Sequence, residues 1–184
     1  MRHKGYRKTW RSGIISEKLV DICILNYLCH WFERLYPMKA MTTDEKYMAI
    51  ALEEAREAMA QDEIPIGAVV VADGRIIGRG HNLTETLHDV TAHAEMQAIT
   101  AAAEWLGGKY LDKCTLYVTV EPCVMCAGAI GWSQLGRLVY GASDEKRGFQ
   151  RFAPNALHPK TVVVSGVMGE ECATLMKEFF KGKR

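Results

Sequence analysis

Two short elements, His93-Ala-Glu95 and Pro122-Cys-Val-Met-Cys126, constrain this chain more than anything else in it. One imidazole and two thiolates form a donor set that suits Zn2+. Three protein ligands leave the fourth tetrahedral position open to water, as in a catalytic rather than a structural zinc site. Cys123 and Cys126 are three residues apart at the expected start of a helix, so both sulfurs leave from one face. Pro122 suits a helix entry, where a missing N–H costs little. The helix end also favours the thiolate that a metal needs. His93 begins the preceding helix, so two helix starts would face one ion. Glu95 is then free to take a proton from water made acidic by the metal, and to pass protons to a substrate nitrogen and a leaving group.

Taken alone, Cys-x-x-Cys also fits half of a structural zinc site or a redox pair. A structural site wants a fourth protein ligand, and His88, five residues before His93, is the nearest candidate. A redox pair would open a thioredoxin-like pattern and would not need the upstream His-Ala-Glu. Both elements together favour the catalytic zinc.

The chain has 184 residues, enough for one domain with a substantial core. Its formal charge of +1 does not announce a nucleic-acid binder, but the charge is uneven. Residues 1–40 carry eight Lys/Arg against three Asp/Glu, and residues 41–184 carry fifteen against nineteen. Domain organisation is therefore read as an N-terminal extension, 1–40, followed by a zinc-dependent domain, 41–184. Three readings fit the extension: an amphipathic helix that docks on the domain or a partner, a basic arm for RNA, or a spurious or disordered segment ahead of a natural start at Met38 or Met41. Its longest uncharged run, Ile22 to Phe32, is about half of what spans a bilayer, so no membrane association is expected. It also lacks the cleavage pattern of a secretory signal. Cys23, Cys29, Cys114 and Cys172 sit in apolar stretches rather than in a disulfide framework, which points to a reducing compartment, the cytoplasm.

From Thr42 the pattern is regular. Thr42-x-x-Glu45 resembles a capping box, and Tyr47, Ile50, Ala51, Ala55 and Met59 recur at helical spacing up to Gln61. Ala68 to Val71 reads as a buried strand, Ala72-Asp-Gly-Arg75 as a hairpin turn, and Arg75 to Gly80 as the returning strand. A polar loop leads to a helix that opens at Ala92-His-Ala-Glu95 and stops at Gly107-Gly108. Cys114 to Val120 is a strand, Cys123 to about Ser133 a helix, Arg137 to Tyr140 and Thr161 to Val164 further strands, and Glu170 to Phe180 a closing helix. This alternation predicts an α/β fold, a three-layer α/β/α sandwich around a five-stranded mixed sheet.

The pairing of His-x-Glu with Pro-Cys-x-x-Cys is the pattern of zinc-dependent nucleobase and nucleoside deaminases. The chain resembles one family within that superfamily, the bacterial tRNA-specific adenosine deaminases, over about residues 44–182. The resemblance rests on Ile64-Pro-Ile-Gly-Ala-Val-Val-Val71, His81-Asn82, Thr91-Ala-His-Ala-Glu95 and Leu116 to Ala129. It continues in Val139-Tyr-Gly-Ala-Ser-Asp144, Gly169-Glu-Glu-Cys-Ala173 and Phe179-Phe180 with a basic end. It implies a cytidine deaminase-like fold and one Zn2+ per subunit held by His93, Cys123 and Cys126. It also implies Glu95 as proton shuttle, zinc-bound water as nucleophile, and conversion of adenosine to inosine at the wobble position of an arginine tRNA with an A-C-G anticodon. The partner would be the tRNA anticodon stem-loop, met by a homodimer in which both subunits build each RNA site.

The same resemblance places Asn82 on the target base and Asp144 near the target ribose. Read locally, Asn82 is a turn residue and Asp144 a helix cap. The N–H groups of Ala94 and Cys123 are candidate partners of the base, and Ile66 and Val120 are candidate pocket walls. Two features depart from the family pattern: the N-terminal extension, and the segment between Asp144 and Thr161. In that segment Lys146, Arg147, Arg151 and Lys160 interleave with Phe149 and Phe152, cations and rings suited to phosphates and unpaired bases. A solvated turn over two core Phe residues fits equally. Lys177, Lys181, Lys183 and Arg184 make a second basic cluster.

The zinc pattern is shared with free guanine and cytosine deaminases of nucleotide salvage, which is the rival reading within enzymes. A zinc-bound RNA-binding module without catalysis is the rival outside them. Retention of Glu95 argues against that second rival.

Overall fold

The computed structural model describes residues 40–183. The expectations for the N-terminal extension fall on residues outside that range.

Helix α1, Thr43–Ala60, starts at a complete capping box. The Thr42 side chain accepts from the Glu45 N–H, and the Glu45 carboxylate accepts from the Thr42 N–H. Its buried stripe is Met48, Ala51, Leu52, Ala55 and Ala58. β1 (Gly67–Ala72) and β2 (Arg75–His81) follow, joined at Asp73-Gly74, where both residues have positive φ. Two such residues in a two-residue hairpin match the right-handed twist of the strands. Then come α2 (Ala94–Leu106), β3 (Thr115–Val120), α3 (Val124–Trp132) and β4 (Arg137–Ala142). The chain closes with the short α4 (Phe149–Phe152), β5 (Val162–Ser165) and α5 (Gly169–Gly182).

The five strands form one sheet in the order β2-β1-β3-β4-β5. β1 is antiparallel to β2 and β3, while β3–β4 and β4–β5 are parallel. The sheet is mixed, as expected. Alternation along the strands separates two cores. Ala68, Val70, Leu116, Val118, Leu138 and Tyr140 pack with Ala94, Ala98, Ala102, Ala127 and Ile130 of α2 and α3. Val69, Val71, Tyr117 and Val139 pack with Met48, Ala51 and Leu52 of α1 and Cys172 of α5. Helices on both faces complete the three layers.

The alanines of α2 let that helix lie close to β2. At Gly80 a Cβ would come within 2.5 Å of the Ala94 carbonyl oxygen, so glycine there lets the start of α2 sit against the end of β2. The strand directions bring the beginning of β1 and the ends of β2, β3 and β4 to one edge of the sheet. The Asn82 N–H donates to the Ile66 carbonyl at 3.0 Å, and the Glu121 N–H to that of Ala142 at 2.8 Å. Among the described residues no helix is long and apolar enough to cross a membrane.

Two expectations about local structure change. His93 and Cys123 are N-caps rather than first helical residues. Phe149–Phe152, expected within a loop, makes a single helical turn. It is too short to leave a periodic signal in the sequence.

At the opposite edge, the Arg137 guanidinium grips Asp44 with Nη1–Oδ1 2.8 Å and Nη2–Oδ2 2.7 Å. The Tyr117 hydroxyl donates to the same carboxylate at 2.9 Å, so the first turn of α1 is tied to β3 and β4. Arg137 holds the Asp44 carboxyl below its ordinary 3.8, against partial burial and with help from Tyr117. A depressed carboxylate contributes stability above its unfolded pKa and loses it as pH falls through the folded value. Asp44→Asn is therefore expected to lower stability by about 1 kcal/mol at neutral pH. In denaturant titrations the gap to the parent protein should close in acid, below the ordinary aspartate range.

Candidate active site

Two helix N-termini meet at the common edge. His93 caps α2 and Cys123 caps α3, both in extended backbone, and neither side chain makes the usual capping bond. Both are left to point at each other. Cys126 follows one turn into α3 and is buried. His93 Nδ1 lies 3.7 Å from Cys123 Sγ and 3.5 Å from Cys126 Sγ. The three donor atoms all lie within 4.8 Å of one another.

With metal–nitrogen and metal–sulfur bonds of ordinary zinc length, a tetrahedral ion separates N and S by about 3.5 Å. The observed separations fit a single ion, and Nδ1 is the nitrogen that would hold it. His88, the sequence candidate for a fourth ligand, is exposed and lies outside this group. Three donors and no fourth among the described residues make an open site.

Without an ion the cluster shares protons. The Cys126 thiol donates to Cys123 and, together with His93 and against burial, pulls its pKa down to about 4. Cys126 is pushed far up, first by holding that proton and then by burial. Cys123 in turn draws the His93 imidazole above its ordinary value, against burial. A metal would displace these protons, so its affinity falls as pH falls.

Glu95 is the second residue of α2, only 3 % exposed. Its Oε2 is buried with no hydrogen-bond partner among the described residues. Burial, reinforced by the Cys123 charge, pushes its pKa up to about 7, while its own backbone N–H, His93 and Cys126 oppose the rise. A carboxyl that titrates near neutrality can both take and give a proton at pH 7.

The other predicted residues gather unevenly. Asn82, buried at the end of β2, stands beside Ile66, and the Leu83 N–H donates to the Ala92 carbonyl at 2.9 Å, one residue from His93. Ala94 is fully buried at the first position of α2. The first N–H groups of α2 and α3 lack partners inside their helices, and the start of α3 is bridged to Gly148 at Cys123. Val120 is buried as a wall residue would be. Asp144 caps the turn after β4: its Oδ1 accepts from the Lys146 N–H at 2.9 Å and the Arg147 N–H at 3.1 Å. That oxygen is already engaged, so only Oδ2 remains for a ribose.

The basic-aromatic segment divides. Lys146, Arg147, Lys160, Lys177 and Lys181 are exposed. Arg151 donates to the Glu145 carbonyl at 2.8 Å and lies over the Phe152 ring. Phe149 does not fit the expected stacking role. It is 3 % exposed and packs edge-on against Tyr140 in the core, so the ring left to solvent is Phe152, at 57 %. Lys183 is exposed, and its ammonium pairs with Asp62 and lies over Phe179.

Two buried acids were missed. Glu121 accepts from the Asp144 N–H through Oε2 and from the Gln150 N–H through Oε1, both at 3.0 Å. At Gly148 a Cβ would come within 2.3 Å of that carboxylate, so the loop closes down on it only at glycine. Glu121 thus ties the 144–150 turn to the strand end that delivers Cys123. Glu63, with no exposed surface, accepts from Asn82 Nδ2 at 2.9 Å, the Thr86 N–H at 2.7 Å and Thr84 Oγ1 at 3.3 Å. Burial raises its pKa, but the donors from Thr86, Glu85 and Thr84 outweigh burial and hold it below 4.5. Nothing in the stretch Gln61-Asp-Glu-Ile64 separates a buried carboxylate from a solvated one.

Residues 42–184 match the model of the MafB19-like deaminase family. The tRNA-specific adenosine deaminase of Agrobacterium fabrum is 47% identical over 143 residues, spanning 75% of this chain and 94% of that protein. A solved structure from work on A-to-I editing by tRNA:A34 deaminases at the wobble position of transfer RNA shares the fold with a TM-score of 0.67 at 47% identity, covering 71% of this chain and 98% of its own. The guanine deaminase of Nitrosomonas europaea shares it at a TM-score of 0.65 and 26% identity, covering 77% and 86%. The architecture is thus the cytidine deaminase-like one expected from the sequence, and the chain belongs to the tRNA-specific adenosine deaminase family.

Proposed function

We propose that the protein hydrolyses adenosine to inosine in an unpaired RNA loop, at the wobble position of an arginine tRNA with an A-C-G anticodon. The observation that carries the chemistry is Glu95: a buried carboxyl, one oxygen of it without a partner among the described residues, held beside the His93 imidazole and the sulfurs of Cys123 and Cys126. We assign one Zn2+ to His93, Cys123 and Cys126. Bound there, zinc supplies a Lewis acid that makes water acidic near neutral pH. Glu95 takes one proton from the attacking water and delivers it to the purine ring nitrogen, then takes the remaining proton of the newly added hydroxyl and passes it to the departing amine as the C–N bond breaks, so that water and adenosine become inosine and ammonia. Asn82, Ala94 and Ile66 hold the base, and Asp144 Oδ2 faces the ribose. Exposed Lys146, Arg147 and Lys181 supply phosphate contacts, with Phe152 as a stacking ring.

The target must be unpaired because the reacting carbon is inaccessible inside a duplex. The reading carries with it a homodimer in the cytoplasm. Trp132, 87 % exposed on α3, and Val124 on the same helix give apolar surface for a second subunit.

The likeness to a guanine deaminase favours a second reading, hydrolysis of a free base in salvage. One assay separates the two. Zinc-loaded protein is offered an RNA hairpin with an A-C-G loop beside free adenosine, guanine and cytosine. Inosine in the loop with little turnover of the free compounds is expected; turnover of a free base with an intact hairpin would replace the RNA reading.

Two variants test the machinery. Glu95→Ala is expected to keep its zinc and lose activity about 100- to 10,000-fold. A zinc-replete, fully active Glu95→Ala protein would sink the assigned role. Cys123→Ala, or a strong chelator, is expected to remove the single zinc measured by elemental analysis. Either treatment should also lower the Tm, since an ion held a hundredfold above its Kd stabilises a fold by about 3 kcal/mol.

A further inference from the structure

We infer that Glu63 is a positioning residue that locks the Asn82 amide with both N–H groups turned inward, leaving Oδ1 as the atom offered to the nucleoside. The inference rests on the adenosine deaminase reading above. A side-chain amide has two nearly isosteric orientations, and its neighbours decide between them. An ionised Glu63 accepts and cannot donate, so the atom of Asn82 that lies 2.9 Å from it is the nitrogen. The Thr84 hydroxyl donates to the same Glu63 oxygen at 3.3 Å, so towards Asn82 it can only accept, and it receives the second N–H at 2.9 Å.

Both protons of Asn82 Nδ2 are therefore used. Flipping the amide would set an oxygen against a carboxylate and a hydroxyl oxygen, two acceptor-to-acceptor contacts away from water. The Thr86 N–H, at 2.7 Å, holds the other Glu63 oxygen and keeps the carboxylate from turning. Among the described residues, Asn82 Oδ1 makes no hydrogen bond. The backbone of Asn82 is fixed to Ile66, and that of Leu83 to Ala92, the residue before His93. What meets it is an N–H or O–H of the target nucleoside. Glu63 itself is fully buried and reaches the substrate only through Asn82.

A merely structural Glu63 would hold the 84–86 turn and nothing more. A double-mutant cycle on hairpin deamination separates the two roles, with zinc content and Tm measured alongside. Glu63→Gln can turn an N–H towards Asn82 and so releases the amide to flip. It is expected to lower kcat/KM about tenfold, chiefly through KM, in protein that keeps its zinc. Asn82→Ala should also lower kcat/KM, and the double variant should be no worse than Asn82→Ala alone. If Glu63→Gln costs as much in the Asn82→Ala background as in the parent, the positioning role is overturned. Should Glu63→Gln fail to fold, Thr84→Val, which removes the acceptor of the second Asn82 N–H, enters the same cycle with the same two outcomes. A parent protein that leaves the hairpin untouched overturns the deaminase reading and this inference with it. An active parent with additive variants overturns this inference alone.

Discussion

Everything at the functional edge depends on two helices beginning at the same place. α2 starts there because the chain leaves β2 at His81 and Gly80 lets the helix lie directly on the strand. α3 starts there because β3 runs out at Val120, next to β4, and Pro122 turns the chain into the next helix. Their N-caps then place His93 Nδ1 within 3.7 Å of both sulfurs. The partial positive charge at each helix start favours thiolate over thiol, so the backbone geometry that positions the donors also prepares them to bind.

Around this point the fold buries three glutamates and gives each a different environment. Glu63 is surrounded by donors and stays ionised despite having no exposed surface. Glu121 is bonded to two backbone N–H groups and serves as the anchor of a loop. Glu95 is also buried but keeps one oxygen without a partner among the described residues, and its pKa rises to about 7. What separates Glu63 from Glu95 is the set of donors around each carboxyl, not burial. Carboxyl groups whose environments push their pKa values apart mark the division of labour in an acid–base site.

The parts legible in the sequence were those specified by short-range rules. The Thr42–Glu45 capping box, the Asp73-Gly74 turn and the β-branched run Thr115–Val120 each carry their structure within a few residues. That His93, Cys123 and Cys126 come together was legible because chemistry, not packing, sets the residue types of a group that could hold a metal. What stayed hidden depends on distant partners. Asp62 lies 121 residues from Lys183, and only the fold pairs them. Phe149 looks like its neighbour Phe152, yet the tie of its N–H to the Pro122 carbonyl draws one ring inward and leaves the other in solvent. Glu63 becomes visible as an orienting group only once β2 has brought Asn82 back beside it.

The central claim is that the His93–Cys123–Cys126 group is an open, three-ligand zinc site, and X-ray absorption at the zinc edge tests it most directly. The account predicts two sulfur scatterers at about 2.3 Å and two light atoms at about 2.0 Å, only one of them an imidazole. A third sulfur or a second imidazole in the shell would mean a closed, structural site and would contradict the account.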